Sequence, residues 1–297
     1  MSKIKKQNTY FTVVIPTLNE EKHLPKLLED LSEQTFKNFE VIVVDAKSKD
    51  KTWKIATDFK DLTSKIKVIT SVRKNVSYQR NLGSKISNSD WIIFIDADTR
   101  IPKSYLHNLK IYSETLNADI FSTWIRPDSN TNQDKLTATI MNIFMDINKN
   151  TSNPYILESM LVVKKKSFEI LGGFDTSIHW SEGEDLLRRA RKKGMKFEYL
   201  KKPKYTYSFR RLKKSGSYKV LQNIALMEIS KIINSKTSKK KAKIYYPMEG
   251  GEFYKTEEKQ TSKLQKFISI IFQDIPINKR SIRLFEKSLN PWKSFFG

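Results

Sequence analysis

Two aspartates separated by a single residue give the clearest chemical signal in the sequence. Asp96 and Asp98 lie in the segment FIDADTRIP at residues 94–102, directly after an apolar run typical of a buried strand. Carboxylates at this spacing can share a Mg²⁺ or Mn²⁺ ion with a substrate diphosphate, because these ions combine a few carboxylate oxygens with phosphate oxygens. The same residues also suit an ordinary strand-to-loop turn, which aspartate favours. Taken alone, the pair is compatible with both interpretations.

The sequence around this pair alternates between strand and helix patterns. Apolar or β-branched runs predict strands, and apolar residues at helical spacing predict helices between them. The predicted strands cover residues 10–16, 39–44, 66–70, 91–95, 118–125 and 156–163; the predicted helices cover residues 19–34, 50–59, 76–87, 135–147 and 184–193. This alternation predicts an α/β fold with a mostly parallel sheet. Ligands of such sheets bind beyond the C-terminal ends of the strands, where Asp45, Asp96 and Asp98 are expected to lie.

Composition excludes several classes of protein. The chain of 297 residues has no cysteine, so disulfides, thiolate metal sites and cysteine nucleophiles are excluded. It has no apolar run long enough to span a bilayer. The basic start at residues 1–16 leads into a strand pattern and is interpreted as a domain start, not as a signal peptide. These features predict a cytoplasmic protein.

Charge is distributed unevenly along the chain. Residues 1–185 contain 26 Lys and Arg against 24 Asp and Glu, whereas residues 186–297 contain 29 against 8. A compositional bias of the genome alone would not leave the first part balanced, so the last third is expected to face an anionic partner. That region also has apolar and aromatic residues between its lysines, which suits a membrane surface and equally suits packing onto the rest of the chain.

Several further motifs occur in a fixed order. Residues 16–20 (PTLNE) follow the first strand, Val44-Asp45 ends the second, and residues 80–83 (RNLG) precede the strand that leads to Asp96. Residues 171–175 (LGGFD) then precede residues 182–186 (EGEDL). Together with the Asp-Ala-Asp segment, this series closely resembles glycosyltransferase family 2 over about residues 10–200. The resemblance implies a GT-A, Rossmann-like fold and inverting transfer of a sugar from a nucleoside-diphosphate sugar.

The resemblance also implies roles for individual residues. Asp98 would bind Mn²⁺ or Mg²⁺ with help from Asp96, which would also lie near the ribose. Asp185 would be the general base that accepts the proton of the acceptor hydroxyl. Asp185 and Glu184 also fit a simpler role, since acidic residues favour the first turn of a helix. The residues implied to contact the nucleotide are Pro16, Asn19, Glu20, Asp45, Arg80 and Asp96.

Two departures from the family pattern concern substrate contacts. Asp45 is followed by Ala46 and Lys47 and not by a second acidic residue, which leaves the nucleotide contacts at that end less defined. The Gln-x-x-Arg-Trp motif of many processive members is absent, and Arg210 and Arg211 occur at a comparable distance after Asp185. Their guanidinium groups suit a diphosphate or an anionic acceptor, or form an ordinary basic pair. Glu184 and Trp180 are further candidates for acceptor contact.

The expected organisation is a GT-A catalytic domain at residues 1–200 and a basic, mainly helical region at residues 201–297. The predicted partners are a UDP- or GDP-sugar, a glycan or lipid-linked acceptor, and an anionic membrane surface that would hold the protein peripherally on its cytoplasmic face. Nucleic acid is disfavoured because no recognised binding motif accompanies the charge.

Three alternatives remain open at this stage. The first is transfer to a polyprenyl phosphate, whose phosphate Arg210 and Arg211 could hold. The second is a non-catalytic basic protein that binds nucleic acid or membranes. The third is an inactive relative of the transferases, against which stand Asp96, Asp98 and Asp185.

Overall fold

The structure is a computed structural model that describes residues 9–62, 65–149, 154–179 and 181–210. Seven strands and seven helices occur in these ranges. The strands are β1 (Thr9–Thr17), β2 (Phe39–Asp45), β3 (Ile66–Thr70), β4 (Ser89–Ile95), β5 (Ile120–Pro127), β6 (Met160–Lys164) and β7 (Phe197–Tyr207). The helices are α1 (Leu24–Ser32), α2 (Thr52–Leu62), α3 (Val76–Ile86), α4 (Tyr105–Thr115), α5 (Asn132–Asn148), α6 (Lys165–Ile170) and α7 (Glu182–Lys192).

The seven strands form one mixed, mostly parallel sheet in the order β3-β2-β1-β4-β6-β5-β7. The first four strands of this order run parallel, β6 is antiparallel to both β4 and β5, and β5 runs parallel to β7. The carboxyl ends of β1, β2 and β4 therefore meet at one edge. This confirms the predicted fold class.

Helices cover both faces of the sheet because the central strands are apolar on both sides. In β1, Val13 and Ile15 join the cluster that also contains residues of α1, α2, α4 and α5, while Val14 joins the cluster on the opposite face with residues of α6 and α7. Helix α3 packs very closely on this second face: a Cβ at Gly83 would lie 2.4 Å from Cγ1 of Val14. The position thus requires glycine.

The C-terminal part differs from the expectation. Strand β7 covers Phe197–Tyr207, so it crosses residue 200 and is extended where a helical region was predicted to begin. Its lysines favoured a helical interpretation, but β7 is an edge strand, and charged residues are common on sheet edges. Lys201 and Lys204 lie over the ring of Trp124, 5.6 and 5.4 Å from its centroid. The rest of the predicted basic region, from residue 211 onward, lies outside the described residues.

None of the helices in the described ranges is long and apolar enough to cross a membrane.

Candidate active site

Two loops that follow β1 and β2 are joined by hydrogen bonds at the carboxyl edge of the sheet. The N–H of Asn19 donates to Ser48 Oγ at 2.9 Å, and Asn19 Oδ1 accepts from the N–H of Lys49 at 2.8 Å. The N–H of Glu20 donates to Thr52 Oγ1 at 2.7 Å. Asn19 has a φ of 55°, a left-handed conformation that asparagine tolerates better than most residues. Because residue 19 belongs to this loop, helix α1 begins at Leu24 and not at residue 19 as the spacing predicts.

Asp45 lies at the end of β2 and is only 1% exposed. Its Oδ1 accepts hydrogen bonds from Thr17 Oγ1 at 3.0 Å and Ser48 Oγ at 2.5 Å, and its Oδ2 accepts from the N–H of Ser48 at 2.9 Å. Pro16 is buried beside it in β1, opposite Val44. The carboxylate of Asp45 therefore fixes the Ser48 loop against the end of β1.

Asp96 and Asp98 lie directly beyond the end of β4. The N–H of Asp96 donates to the carbonyl of Ser159 at 3.1 Å, which extends the pairing of β4 with β6 by one residue. Their side chains are 35% and 21% exposed. Both carboxylates thus reach the solvent side of the edge where ligands of such sheets bind.

Arg80 lies beneath Asp96 with its side chain 2% exposed. Its Nη2 donates to Asp96 Oδ1 at 2.9 Å and to the carbonyl of Glu158 at 3.1 Å, while its Nη1 donates to Glu182 Oε1 at 3.2 Å. Burial by itself would lower the pKa of Arg80, but the charges of Asp96 and Glu182 raise it overall, so the guanidinium stays charged. Arg80 therefore joins the Asp96 loop to the first turn of α7.

Arg210 connects Asp98 with the loop that follows β1. Its Nε lies 3.0 Å from Asp98 Oδ2, and its Nη2 donates to Glu20 Oε1 at 2.8 Å. Its Nη1 contacts Nδ1 of His23 at 2.8 Å. Burial raises the pKa of Asp98 to about 6; the charge of Arg210 opposes this rise, and those of Asp96 and Glu20 add to it. Burial would also raise the pKa of Glu20, but hydrogen bonds from His23 and Arg210 bring it below its usual value.

Asp185 lies on α7, and both of its carboxylate oxygens are engaged by arginines of the same helix. Arg188 Nη2 is 2.6 Å from Oδ1, and Arg189 Nε is 2.7 Å from Oδ2. Arg189 in turn donates to the carbonyls of Leu171 and Gly173. Glu184 lies in the same turn and is partly exposed. In this arrangement Asp185 anchors the glycine loop before α7, which agrees with the role of an acidic residue in a first helical turn.

The described residues bring together at one edge most of the predicted nucleotide and metal residues, Asn19, Glu20, Asp45, Arg80, Asp96 and Asp98, and with them Arg210, a predicted acceptor or phosphate contact. Trp180 and Arg211 lie outside the described residues. His23 and Glu158 belong to the same site although their sequence context does not mark them. The only available signal for Glu158 was a single carboxylate within the largely apolar residues 156–163.

The donor set at this edge suits a divalent cation that arrives with a diphosphate. Among the residues that the structure describes, no group of three His, Asp or Glu side chains is arranged as a preformed cation cage. Mg²⁺ and Mn²⁺ do not require one, since they bind through one or two carboxylates and take their remaining ligands from phosphates and water. Asp98 and Asp96 offer such carboxylates, and Arg210 adds a guanidinium suited to phosphate.

A mostly parallel sheet with paired aspartates at its carboxyl edge is the arrangement expected of the GT-A class. Residues 12–172 match glycosyl transferase family 2, and this segment is more than half of the 297-residue chain. The chain therefore belongs to that family.

Individual relatives agree with this assignment. The poly(ribitol-phosphate) beta-N-acetylglucosaminyltransferase TarS of Staphylococcus aureus is 30% identical over 113 residues, covering 37% of this chain and 20% of that protein. A dolichyl N-acetyl-alpha-D-glucosaminyl phosphate 3-beta-D-2,3-diacetamido-2,3-dideoxy-beta-D-glucuronosyltransferase of Methanococcus voltae is 32% identical over 103 residues, covering 33% of this chain and 32% of that protein. The similarity thus spans a third or less of each of these two relatives.

Solved structures show the same fold. TarS residues 1–349 with UDP-GlcNAc align with a TM-score of 0.55 at 19% identity, covering 67% of this chain and 58% of that chain. The Pyrobaculum calidifontis mannosyltransferase PcManGT with GDP-Man and Mn²⁺ aligns with a TM-score of 0.60 at 15% identity, covering 96% of this chain and 82% of that chain.

Proposed function

We propose that this chain transfers a sugar from a nucleoside-diphosphate sugar to an acceptor hydroxyl, with inversion at the anomeric carbon and with Mg²⁺ or Mn²⁺. The observation that carries the proposal is the convergence of Asp96, Asp98 and Arg210 at the carboxyl edge of the sheet. Two carboxylates and one guanidinium there match the opposite charges of a cation and a diphosphate.

Each part of this edge has a distinct task in the proposed reaction. Asp98 and Asp96 would hold the cation, whose positive charge would offset the negative charge of the departing diphosphate. Arg210, which contacts Asp98 and Glu20, would bind the phosphates, since its guanidinium fits phosphate oxygens. The loops at Pro16, Asn19, Glu20 and Asp45 shape the nucleoside pocket, and Arg80 keeps the Asp96 loop in place.

The proposed donors are UDP- and GDP-sugars, and the proposed acceptor is a growing glycan or a lipid-linked glycan. TarS binds UDP-GlcNAc and the Pyrobaculum enzyme binds GDP-Man with Mn²⁺, which supports these donor classes. The Methanococcus relative acts on a dolichyl-linked sugar phosphate, which supports a lipid-linked acceptor.

The division into a catalytic part and a basic C-terminal part is also a proposal, with the boundary moved beyond β7. Residues 208–297 contain 20 Lys and Arg against 7 Asp and Glu, which favours an anionic surface such as a membrane. Sedimentation of the full chain with phosphatidylserine vesicles, and not with phosphatidylcholine vesicles, would support this part. If equal amounts of the protein stayed in the supernatant with both kinds of vesicle, binding of the C-terminal part to an anionic membrane would be excluded.

The central experiment is a thermal-shift panel of UDP, GDP, CDP and dTDP, each with and without Mn²⁺. A rise in melting temperature that needs both one nucleotide and the metal supports the proposal and identifies the donor base. Asp98→Asn should lose the metal-dependent part of the shift and keep the fold. Asp58→Asn, an exposed carboxylate on α2, is the matched control. If wild-type protein with a cooperative melt shows no metal-dependent shift for any nucleotide, the proposal is wrong.

A further inference from the structure

The edge of the sheet beside Asp96 contains a carboxylate that the family resemblance does not assign. Glu158 lies between Leu157 and Ser159, just before β6 begins at Met160. Strand β6 pairs with β4 up to Ile95 and Met160, and the hydrogen bond from Asp96 N–H to the Ser159 carbonyl continues this pairing. Glu158 is therefore the next residue alongside the Asp-Ala-Asp segment.

The side chain of Glu158 extends to the first turn of α7. Its Oε1 accepts a hydrogen bond from the N–H of Gly183 at 2.6 Å. This turn also contains Glu182, whose carboxylate is bound by Arg80, and Arg80 is in turn bound to Asp96. A continuous set of contacts thus links the carboxylate of Glu158 to the proposed metal loop.

Gly183 leaves the space that the Glu158 carboxyl group occupies. A Cβ at residue 183 would lie 2.6 Å from Cγ and 3.0 Å from Oε1 of Glu158, and 2.9 Å from Cγ2 of Ile156. Gly183 lies within α7 and is not among the glycines of the described residues with a positive φ. Its lack of a side chain is therefore explained by the approach of Glu158 and not by backbone strain.

Asp185 is less well placed to accept a proton. Each of its oxygens already faces a guanidinium, Arg188 at 2.6 Å and Arg189 at 2.7 Å. An arginine partner stabilises the charged form of a carboxylate and makes it a weaker base. By contrast, the hydrogen bond described for the Glu158 carboxylate comes from one backbone N–H, and Arg80, whose charge also acts on it, donates to the Glu158 carbonyl and not to its carboxylate.

On the basis of the proposed function, we infer that Glu158 is the general base of the transfer. The Glu158 carboxylate takes the proton of the acceptor hydroxyl while the hydroxyl oxygen forms its bond to the anomeric carbon. The bond from that carbon to the diphosphate oxygen breaks, and its electron pair leaves with the nucleoside diphosphate. Glu158 then releases the proton to solvent.

The electrostatics agree with this role. Burial and the negative charge of Glu182 raise the pKa of Glu158 well above its usual value, against the opposing charge of Arg80. A carboxylate with a raised pKa is a stronger base, and proton transfer is most efficient when the pKa of the base is close to the working pH.

The test measures release of UDP from UDP-GlcNAc and of GDP from GDP-mannose with Mn²⁺, water serving as the acceptor. Glu158→Gln should keep the metal-dependent thermal shift with UDP or GDP and lose about 100-fold or more in turnover. Glu169→Gln changes an exposed glutamate on α6 in the same way and should turn over as the wild type does. Glu158→Gln turnover within about threefold of wild type would overturn the inference. So would loss of turnover in Asp185→Asn with Glu158→Gln unaffected, which would return the role to Asp185.

A double variant moves the carboxylate from residue 158 to residue 183. Because a Cβ at residue 183 points into the volume of the Glu158 carboxyl group, the double variant Glu158→Ala with Gly183→Asp places a carboxylate near the original position. It should recover about tenfold or more of the turnover lost in Glu158→Ala alone. A double variant that binds nucleotide with Mn²⁺ but shows no recovery would overturn the inference. Wild-type protein with neither nucleotide binding nor turnover would instead refute the proposed function itself.

Discussion

Replacing Arg80 by methionine is expected to destabilise the protein strongly, because Arg80 is the counter-ion of a buried acidic group. Its side chain is 2% exposed and its Nη1 lies 3.2 Å from Oε1 of Glu182, which is itself 5% exposed. Methionine fills much of the aliphatic volume but leaves Glu182 without its positive partner and the carbonyl of Glu158 without a donor. Breaking a buried ion pair from one side costs about 3–5 kcal/mol.

The effect should depend on pH in a defined direction. Burial raises the pKa of Glu182 in the folded state, and Arg80 partly opposes this rise, so removing Arg80 raises the pKa further. A carboxyl group whose pKa is higher in the folded than in the unfolded state binds more protons when folded. Between the pKa of the unfolded state and the higher pKa of the folded state, the free energy of unfolding therefore falls as pH rises. The destabilisation by Arg80→Met should accordingly be larger at pH 8 than at pH 5.5.

The assay is urea unfolding at both pH values, with Arg188→Met as the control. Arg188 also pairs with a carboxylate, that of Asp185 at 2.6 Å, but its side chain is 49% exposed. Loss of such an exposed pair changes the free energy of unfolding by about 0.2–1 kcal/mol. If Arg80→Met cost less than about 1 kcal/mol, or the same amount at both pH values, Arg80 would not be the counter-ion of a buried charge.

Two further substitutions probe the scaffold. Gly83→Ala should lower stability by about 1–3 kcal/mol, since its Cβ would lie 2.4 Å from Val14 Cγ1; an unchanged melting temperature would show that α3 can move away from β1. Asn142→Ala should cost about 2–4 kcal/mol and speed amide exchange at Ile125, because Asn142 is 2% exposed and pairs with both the N–H and the carbonyl of Ile125. Asn108, which is only partly buried and whose Nδ2 donates to the carbonyl of Ser104, is the matched control, and equal losses at the two positions would contradict the second prediction.

The central strands were predictable because their signal is local. The apolar run at residues 39–44 and the β-branched run at residues 10–16 lie within β2 and β1. Asp96 and Asp98 were found by the same reasoning, since a polar pair after a buried strand must lie at a sheet edge. The start of α1 was not predictable, because hydrogen bonds to Ser48 and Thr52, about thirty residues away in sequence, hold Asn19 and Glu20 in the loop.

Asp185 and Glu158 show a different limit of sequence reasoning. Asp185 stands in a conspicuous acidic turn, but that position also suits the start of a helix, and the structure pairs it with arginines three and four residues later. Glu158 has no conspicuous neighbours in sequence. Its carboxylate accepts a hydrogen bond from the N–H of Gly183 at 2.6 Å, a contact that only folding creates. Composition and spacing could not distinguish a carboxylate paired within its own helix from one that contacts a residue 25 positions away in sequence.

Contacts from β7 position the Asp-Ala-Asp segment, although β7 lies outside the residues that match the family. The family match ends at residue 172, yet Tyr205 on β7 bonds to Ser159, whose carbonyl accepts from Asp96. Thr206 forms a two-way backbone pair with Arg100, two residues after Asp98. These contacts fix both sides of the Asp-Ala-Asp segment to β7 and place Arg210, three residues after the strand, against Asp98. The geometry of the proposed metal loop therefore depends on β7, and a fragment that ended with the family match would lose the contacts that position it.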